Sequence, residues 1–275
     1  MPDITDTEAQ MTDITGGTAY TLTGPANAPA VVLIHGLGLN RAVWQWMVAD
    51  LAGFRVLTYD LIGHGDSALP EGQPVLRDLS DQLLRLLDQL GIANAGIVGF
   101  SLGGMVARRF AQDHPGRSAA LAILHSPYRR APDAQAAIEA RVTQAETSGP
   151  AATVEAALVR WYTDAARATQ PDLMTLTRAW VLANDPKAYP RLYRILATGV
   201  DEVSSPTPPI RCPTLVLTAD EDHGNSPEMA AAIAMEIPRA RLVILQGLRH
   251  MALAEDPPAV NGPVRDFLTE TLSST

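Results

Sequence analysis

Residues 95–111 constrain this chain more tightly than any other stretch. Ala95-Gly96-Ile97-Val98 is a short apolar run with β-branched residues and reads as a strand. Met105-Val106-Ala107-Arg108-Arg109-Phe110-Ala111 reads as a helix. Between them stands Gly99-Phe100-Ser101-Leu102-Gly103-Gly104. Strand, Gly-x-Ser-x-Gly, helix is the context of a nucleophile elbow, in which a serine sits on a sharp, strained turn. Gly99 and Gly103 leave room for close backbone approach in a turn too tight for bulky neighbours. Ser101 is then expected to project its hydroxyl above a sheet. The helix behind it offers free N–H groups and its positive dipole end to a developing oxyanion.

The rest of the chain alternates strands with helices. Gln10 to Ile14 and Thr18 to Thr23 suggest two short antiparallel strands broken at Gly16-Gly17, after a loose stretch over residues 1–9. Ala30-Val31-Val32-Leu33-Ile34 is a nearly continuous apolar run, which suits a strand buried on both faces of a parallel sheet. Phe54 to Asp60, Ala119 to His125, Cys212 to Thr218 and Leu242 to Leu245 are further strand candidates. Arg41 to Leu51, with Asn40 as cap, and Leu76 to Leu90, ended by Gly91, read as helices between them. So do Ser226 to Ile237 and Pro263 to Thr271. The pattern changes from Ser126-Pro127 to about Pro209, where helical candidates follow one another without a strand: 131–146, 152–162, 171–183 and 189–198. So long an interval between two strands is no ordinary crossover. The expected architecture is α/β: a mostly parallel sheet flanked by helices, residues 1–126 and 210–275, with a helical cap, 127–209, inserted after the sixth strand.

A length of 275 residues suits one large domain with such an insert. The formal net charge of −9, with Lys187 the sole lysine, argues against a nucleic-acid partner. The single cysteine, Cys212, excludes an intrachain disulfide and reads as a small core residue. Residues 1–15 are acidic and Thr-rich without a signal-peptide core, and no apolar run is long enough to span a membrane. The expected compartment is therefore the cytoplasm, with no membrane partner.

Sites in open α/β sheets gather at the C-terminal ends of the strands. Ser101 follows one strand end, Asp220 and Asp222 a second, and His250, in Gly247-Leu248-Arg249-His250, a third. A serine hydroxyl is a poor nucleophile until a base takes its proton. Histidine titrates in the right range to accept and return it, and a buried carboxylate fixes the ring tautomer. Spacing leaves Asp220 and Asp222 equivalent as that acid. Asp60, His35 and His64 read as structural. Two inward N–H groups are needed for an oxyanion: Leu102 supplies one by its place after Ser101, and Leu37, after Gly36, the other.

Three segments together resemble the α/β-hydrolase superfamily along nearly the whole chain: His35-Gly36-Leu37-Gly38, Asp60-Leu61-Ile62-Gly63-His64-Gly65-Asp66-Ser67 and Gly99-Phe100-Ser101-Leu102-Gly103-Gly104. The order Ser, Asp, His is the family's. The family's Gly-x-x-Asp segment matches Ala219-Asp220-Glu221-Asp222, departing at the glycine, and so implies Asp222 as the acid. Within the superfamily, 99–107 and Arg160-Trp161-Tyr162-Thr163 resemble 3-oxoadipate enol-lactonases, and small carboxylesterases and haloperoxidase-like esterases are similar. The resemblance implies hydrolysis of a small carboxylic ester or lactone through an acyl-enzyme, with no metal or organic cofactor. A carbon–carbon bond hydrolase acting on a vinylogous diketone would use the same groups, and a non-catalytic ligand-binding protein on this fold is the other alternative. Substrate-binding candidates are Trp44, His125, Arg129, Arg130, Trp161 and Trp180. Arg129 and Arg130, at the entrance to the cap, together with Arg160 and Arg178 suggest an anionic substrate. Oligomeric state is not readable.

Overall fold

A computed structural model of the chain describes residues 11–272. The stretch 1–9 and the start of the first expected strand at Gln10 lie outside the described residues. Eight strands, β1 (Met11–Thr15), β2 (Thr18–Thr23), β3 (Ala30–Ile34), β4 (Arg55–Tyr59), β5 (Ala95–Phe100), β6 (Ser118–Leu124), β7 (Thr214–Ala219) and β8 (Arg241–Leu245), form one sheet in the order β1-β2-β4-β3-β5-β6-β7-β8. The pairs β1–β2 and β2–β4 are antiparallel; from β4 onward every pairing is parallel.

The helices are α1 (Gln45–Val48), α2 (Leu76–Gln89), α3 (Leu102–Asp113), α4 (Pro132–Ser148), α5 (Val154–Trp161), α6 (Asp164–Thr169), α7 (Pro171–Leu182), α8 (Ala188–Thr198), α9 (Pro227–Glu236), α10 (Ala252–Glu255) and α11 (Pro257–Leu272). Helices α4 to α8 form the insertion after the sixth strand. The expected helix over 41–51 is broken into 3-10 turns around α1, capped by the Asn40 side chain, which accepts from the Ala42 amide at 2.9 Å. The last helix begins at Pro257 rather than Pro263. Proline favours a helix's first turn, but here Val260, Val264, Phe267 and Leu268 lie buried along one stripe, and that packing carries the helix through Pro263.

Two apolar clusters lie on the two faces of the sheet. One joins alternate strand residues such as Val32, Ile34 and Ile97 to α2, α3 and α8; the other joins Val31, Leu33 and Val98 to α1, α10 and α11. Burial on both faces explains why β3, β5 and β6 read as unbroken apolar runs. Among the described residues no helix is long and apolar enough to cross a membrane.

The parallel register sets the site. Ile34 pairs with Gly99, Phe100 with Leu124, Leu124 with Leu217, and Ala219 with Leu245. The strands therefore finish nearly level, and the residues just beyond them share one edge. β4 lies to one side of β3 and β5 to the other, so the chain reverses its direction of travel across the sheet at β3/β5. A crevice opens at such a switch point.

Candidate active site

Ser101 sits between β5 and α3 with φ 56° and ψ −115°, a left-handed backbone that a non-glycine residue seldom adopts. Its amide donates to Leu124 O at 2.8 Å, which ties the turn to the end of β6. The glycines around it are dictated by contact. A Cβ on Gly103 would stand 2.1 Å from Ile34 O. A Cβ on Gly36 would stand 3.1 Å from Ser101 Cβ, so the loop after β3 lies directly against the turn. Leu37 follows Gly36 on that loop. Leu102 is the first residue of α3, where an amide has no acceptor within the helix.

His250 reaches the same place from the loop after β8. Its Nδ1 donates to Asp222 Oδ2 at 2.8 Å, and Asp222 is buried behind it. The turn after β7 holds the other carboxylate oxygen: Oδ1 accepts from the amides of Gly224 at 3.2 Å and Asn225 at 3.0 Å. Burial alone would raise the Asp222 carboxyl. The charge of His250 and the hydrogen bonds from His125 and His250 more than offset it and hold the group below the usual carboxylate range. Asp220, by contrast, is exposed and accepts from the Gly247 amide at 2.7 Å. It braces the histidine loop without touching the ring.

The remaining histidines of this edge are neutral braces. His35 donates from Nδ1 to Gly36 O at 2.8 Å and accepts at Nε2 from the Leu61 amide at 3.0 Å. His64 accepts at Nε2 from the Gly38 amide at 3.0 Å. Burial drives their pKa values down to about 4 and about 3. Asp60 is buried and takes the Arg41 guanidinium and the amides of Arg41 and Asp66. All three fix the loops after β3 and β4, as their sequence context suggests.

One cavity is lined by Ser101, His250, Asp222, Leu37 and Phe100 from the sheet side, and by residues of the insertion opposite. Of the substrate-binding candidates, Arg130 and Trp161 line it. Trp161 lies with its ring centroid 6.0 Å from that of His250, and its carbonyl accepts from the Met251 amide at 2.9 Å. The other four candidates lie elsewhere. Trp44 is fully buried in the core against the sheet, because the 3-10 turn Arg41–Trp44 that it ends turns Val43 and Trp44 inward. Trp180 packs edge-on against Trp46, 6.1 Å between centroids, outside the cavity wall. Arg129 is half exposed and donates to Ser205 Oγ at 3.2 Å. His125 is fully buried behind the wall and bonds Asp222 instead, Nδ1 to Oδ2 at 2.9 Å.

Tyr189 and Tyr193, which with Trp161 and Trp180 are sequence candidates for the inner face of the cap, do line the cavity; sequence reasoning missed Arg141, which joins them there with Arg130 and Arg160. All five line the cavity, from the entrance to α4, from α4, from α5 and from α8. Arg141 Nε donates to Tyr193 Oη at 3.1 Å, and Arg130 donates to the carbonyls of Leu196 and Ala197. Among the described residues no carboxylate lies within 4.0 Å of any of these three guanidiniums. Desolvation brings Arg130 down to about 10, which leaves it cationic at neutral pH. Arg178, the fourth arginine of interest, is paired with Glu155 at 2.6 Å outside the cavity. His125, Asp222 and His250 also bring three donor atoms within 4.8 Å of one another. The two Nδ1 atoms there are already hydrogen-bonded to one carboxylate oxygen, and His125 Nε2 has no partner.

Residues 29–257 match the family model described as alpha/beta hydrolase fold, and the strand-end edge with its β5–Ser–α3 turn is the candidate site on that fold. The chain belongs to that family and is related to its enol-lactonase and carboxylesterase-type members. It is 30% identical over 202 residues to 3-oxoadipate enol-lactonase 1 of Acinetobacter baylyi, covering 73% of this chain and 74% of that one. It is 25% identical over 243 residues to the (E)-2-((N-methylformamido)methylene)succinate hydrolase of the same organism, covering 88% and 90%. Among solved structures, the enol-lactonase from Burkholderia xenovorans LB400 superposes with a TM-score of 0.86 at 29% identity, covering 94% of this chain and all of that one.

Proposed function

We propose that the protein is a serine hydrolase that cleaves a small carboxylic ester or lactone through an acyl-enzyme. The family and its relatives support hydrolysis of esterase or lactonase type in general. The observation that carries the serine mechanism is the Nδ1–Oδ2 bond of His250 to buried Asp222. That bond leaves Nε2 as the free base nitrogen, in the cavity that Ser101 lines from its strained turn. Ser101 Oγ attacks the carbonyl carbon as its proton passes to His250. The amides of Leu37 and Leu102 hold the oxyanion. Collapse expels the alkoxide, which takes the proton from His250; in a lactone it stays tethered. Water, deprotonated by His250, attacks the acyl-enzyme, and the carboxylic acid leaves as Ser101 regains its proton.

Residues 127–209 act as the cap that selects the substrate. Three cavity guanidiniums without a carboxylate partner favour a substrate bearing at least one carboxylate besides the acyl group under attack. Guanidinium and carboxylate meet in a planar, two-pronged geometry. The succinate in one relative's name is a dicarboxylate. The test of the mechanism is labelling with a fluorophosphonate and turnover of a short-chain p-nitrophenyl ester. The probe is expected on Ser101, and Ser101→Ala is expected to keep its circular dichroism while losing about 10⁴-fold or more in turnover. Turnover by folded S101A at the parent's rate would overturn the reading.

A further inference from the structure

Asp222 Oδ2 accepts two imidazole N–H groups, one from His250 at 2.8 Å and one from His125 at 2.9 Å. We propose that His125 is a positioning residue for the reaction: its Nδ1–H pins the Asp222 carboxylate so that His250 is held in one orientation and tautomer. The inference rests on the serine mechanism above and adds a residue to it.

The geometry is specific. His125 stands one residue beyond β6, between the strand that ties down Ser101 and the strand that carries Asp222. Its backbone has φ 48°, a left-handed conformation that costs energy in a non-glycine residue, and its amide is tied to Leu217 O at 2.7 Å. The ring is fully buried and meets the His250 ring edge-on, 90° between planes and 5.7 Å between centroids. Its Nε2 has no hydrogen-bond partner. A buried bare acceptor costs less than a buried charge, so the arrangement fits a neutral ring whose proton is on Nδ1. Burial lowers the pKa of His125, which agrees. A histidine placed here only to fill space would leave a polar atom orphaned for nothing. An apolar ring would pack without that penalty.

The consequence follows from counting donors. Oδ1 is fixed by the amides of Gly224 and Asn225. With His125 on Oδ2, the carboxylate cannot rotate, and only its remaining lone pair faces His250. The N–H of His125 also draws charge from Oδ2, which moderates the pull of Asp222 on the proton of His250. The other charged or titratable groups facing this network are Ser101 and the guanidiniums of Arg130, Arg141 and Arg160 across the cavity, and the Glu221–Arg249 pair, 3.3 Å apart, is formed by the residues just before Asp222 and His250. None of these donates to Asp222.

The experiment compares two variants on a p-nitrophenyl ester, with the parent measured by NMR. His125→Phe keeps an aromatic ring and removes the donor. His125→Asn places an amide nitrogen where Nδ1 stood and tolerates the left-handed backbone. H125F is expected to lose roughly 10-fold in kcat with KM nearly unchanged, about the worth of one hydrogen bond to a charged group. Its kcat/KM profile is expected to shift its acidic limb to higher pH, because Oδ2, relieved of one donor, holds the His250 proton more tightly. H125N is expected to recover most of both. Long-range ¹H–¹⁵N correlation of the parent is expected to show His125 protonated on Nδ1, a result independent of whether either variant folds. An unchanged rate and profile in folded H125F, equal damage in H125N, or an Nε2–H tautomer would each overturn the proposal. Failure of the serine mechanism itself would appear in S101A and in fluorophosphonate labelling, not in these variants.

Discussion

The cavity has two walls of opposite character. The sheet wall carries Ser101, Asp222 and His250, each placed within a few residues of a strand end by backbone register and tight turns. The insertion wall carries Arg130, Arg141 and Arg160 with Tyr189 and Tyr193, placed by how separate helices pack. On the sheet wall every histidine finds a defined acceptor or donor. On the insertion wall three permanent cations line the cavity, Arg130 donating to carbonyls and Arg141 to a phenol, with no carboxylate within ion-pair distance of the three among the described residues. The difference separates two tasks under the proposed mechanism: the first wall would move a proton among fixed groups, and the second would offer charge to a substrate that arrives.

The largest expected break in this comparison lies on the sheet wall. Asp222→Asn leaves the turn after β7 but removes the negative charge and offers His250 the wrong partner. By analogy with the handling of the same change in serine proteases, turnover is expected to fall about 10⁴-fold. Asp220→Asn sits on the same loop, exposed, and touches only the Gly247 amide. Its turnover is expected to stay within about 10-fold of the parent, since a surface hydrogen bond contributes little. Measuring kcat for both on one ester decides it: a reversed ranking would move the acid to Asp220 and leave the bond between His250 and Asp222 unexplained.

The two walls also differ in how far the sequence reveals them. The eight strands, the insertion after the sixth and the places of Ser101 and His250 are legible because each depends on local chemistry, whereas only the family resemblance separates Asp222 from Asp220. Gly103 must be glycine for contact with Ile34 O, and β3 must be apolar because both its faces are covered. The role of His35 and His64 as loop braces is legible for the same reason. The insertion wall is not. Arg141 falls in the middle of α4 with no motif around it, and nothing in its neighbours says that α8 brings Tyr193 to it. Arg129 and Arg130 are adjacent in sequence, yet one turns to Ser205 and the other to the cavity. His125 was legible as a strand-end residue but not as a partner of Asp222, since that contact joins residues 97 apart. Trp44 and Trp180 show the converse: large aromatics near a site in sequence that the packing turns into the core or away from the cavity.

A smaller effect, but one that tests the insertion wall directly, is expected from its arginines. Arg160→Met keeps apolar bulk and removes the charge. On a monoester of a dicarboxylic acid, KM is expected to rise roughly 10- to 100-fold, the range for one charge-assisted hydrogen-bonded contact. On the fully methylated diester it is expected to change less than about 3-fold, with kcat similar on both. The preference for the charged substrate is expected to weaken as salt is raised. Equal losses on both substrates would mean that Arg160 serves packing, and the cavity would then be that of a general small-ester hydrolase.

The smallest expected effect concerns pH, and it separates the walls by the kind of charge each holds. The guanidiniums stay cationic across the workable range. The histidine braces do not behave alike in folded and unfolded chains. Unfolded, His35 and His64 titrate near 6.5; folded, burial lowers them to about 4 and about 3. Between those values the unfolded chain binds protons that the folded chain refuses. The stabilisation is therefore complete above the unfolded value and is lost as pH falls from about 6.5 toward 4, at roughly 1.4 kcal/mol per pH unit for each histidine. Asp222 adds nothing in this window. Its folded carboxyl lies below the ordinary range, so its share is kept above the unfolded carboxylate value and goes only as pH falls further. Urea midpoints measured from pH 7.5 to 4.5 are expected to decline, and His64→Gln, which can still accept from the Gly38 amide, is expected to decline less steeply. A parent whose stability is flat over that range would mean that the braces take up protons in place, and the sheet wall would then be as indifferent to acid as the arginines opposite it.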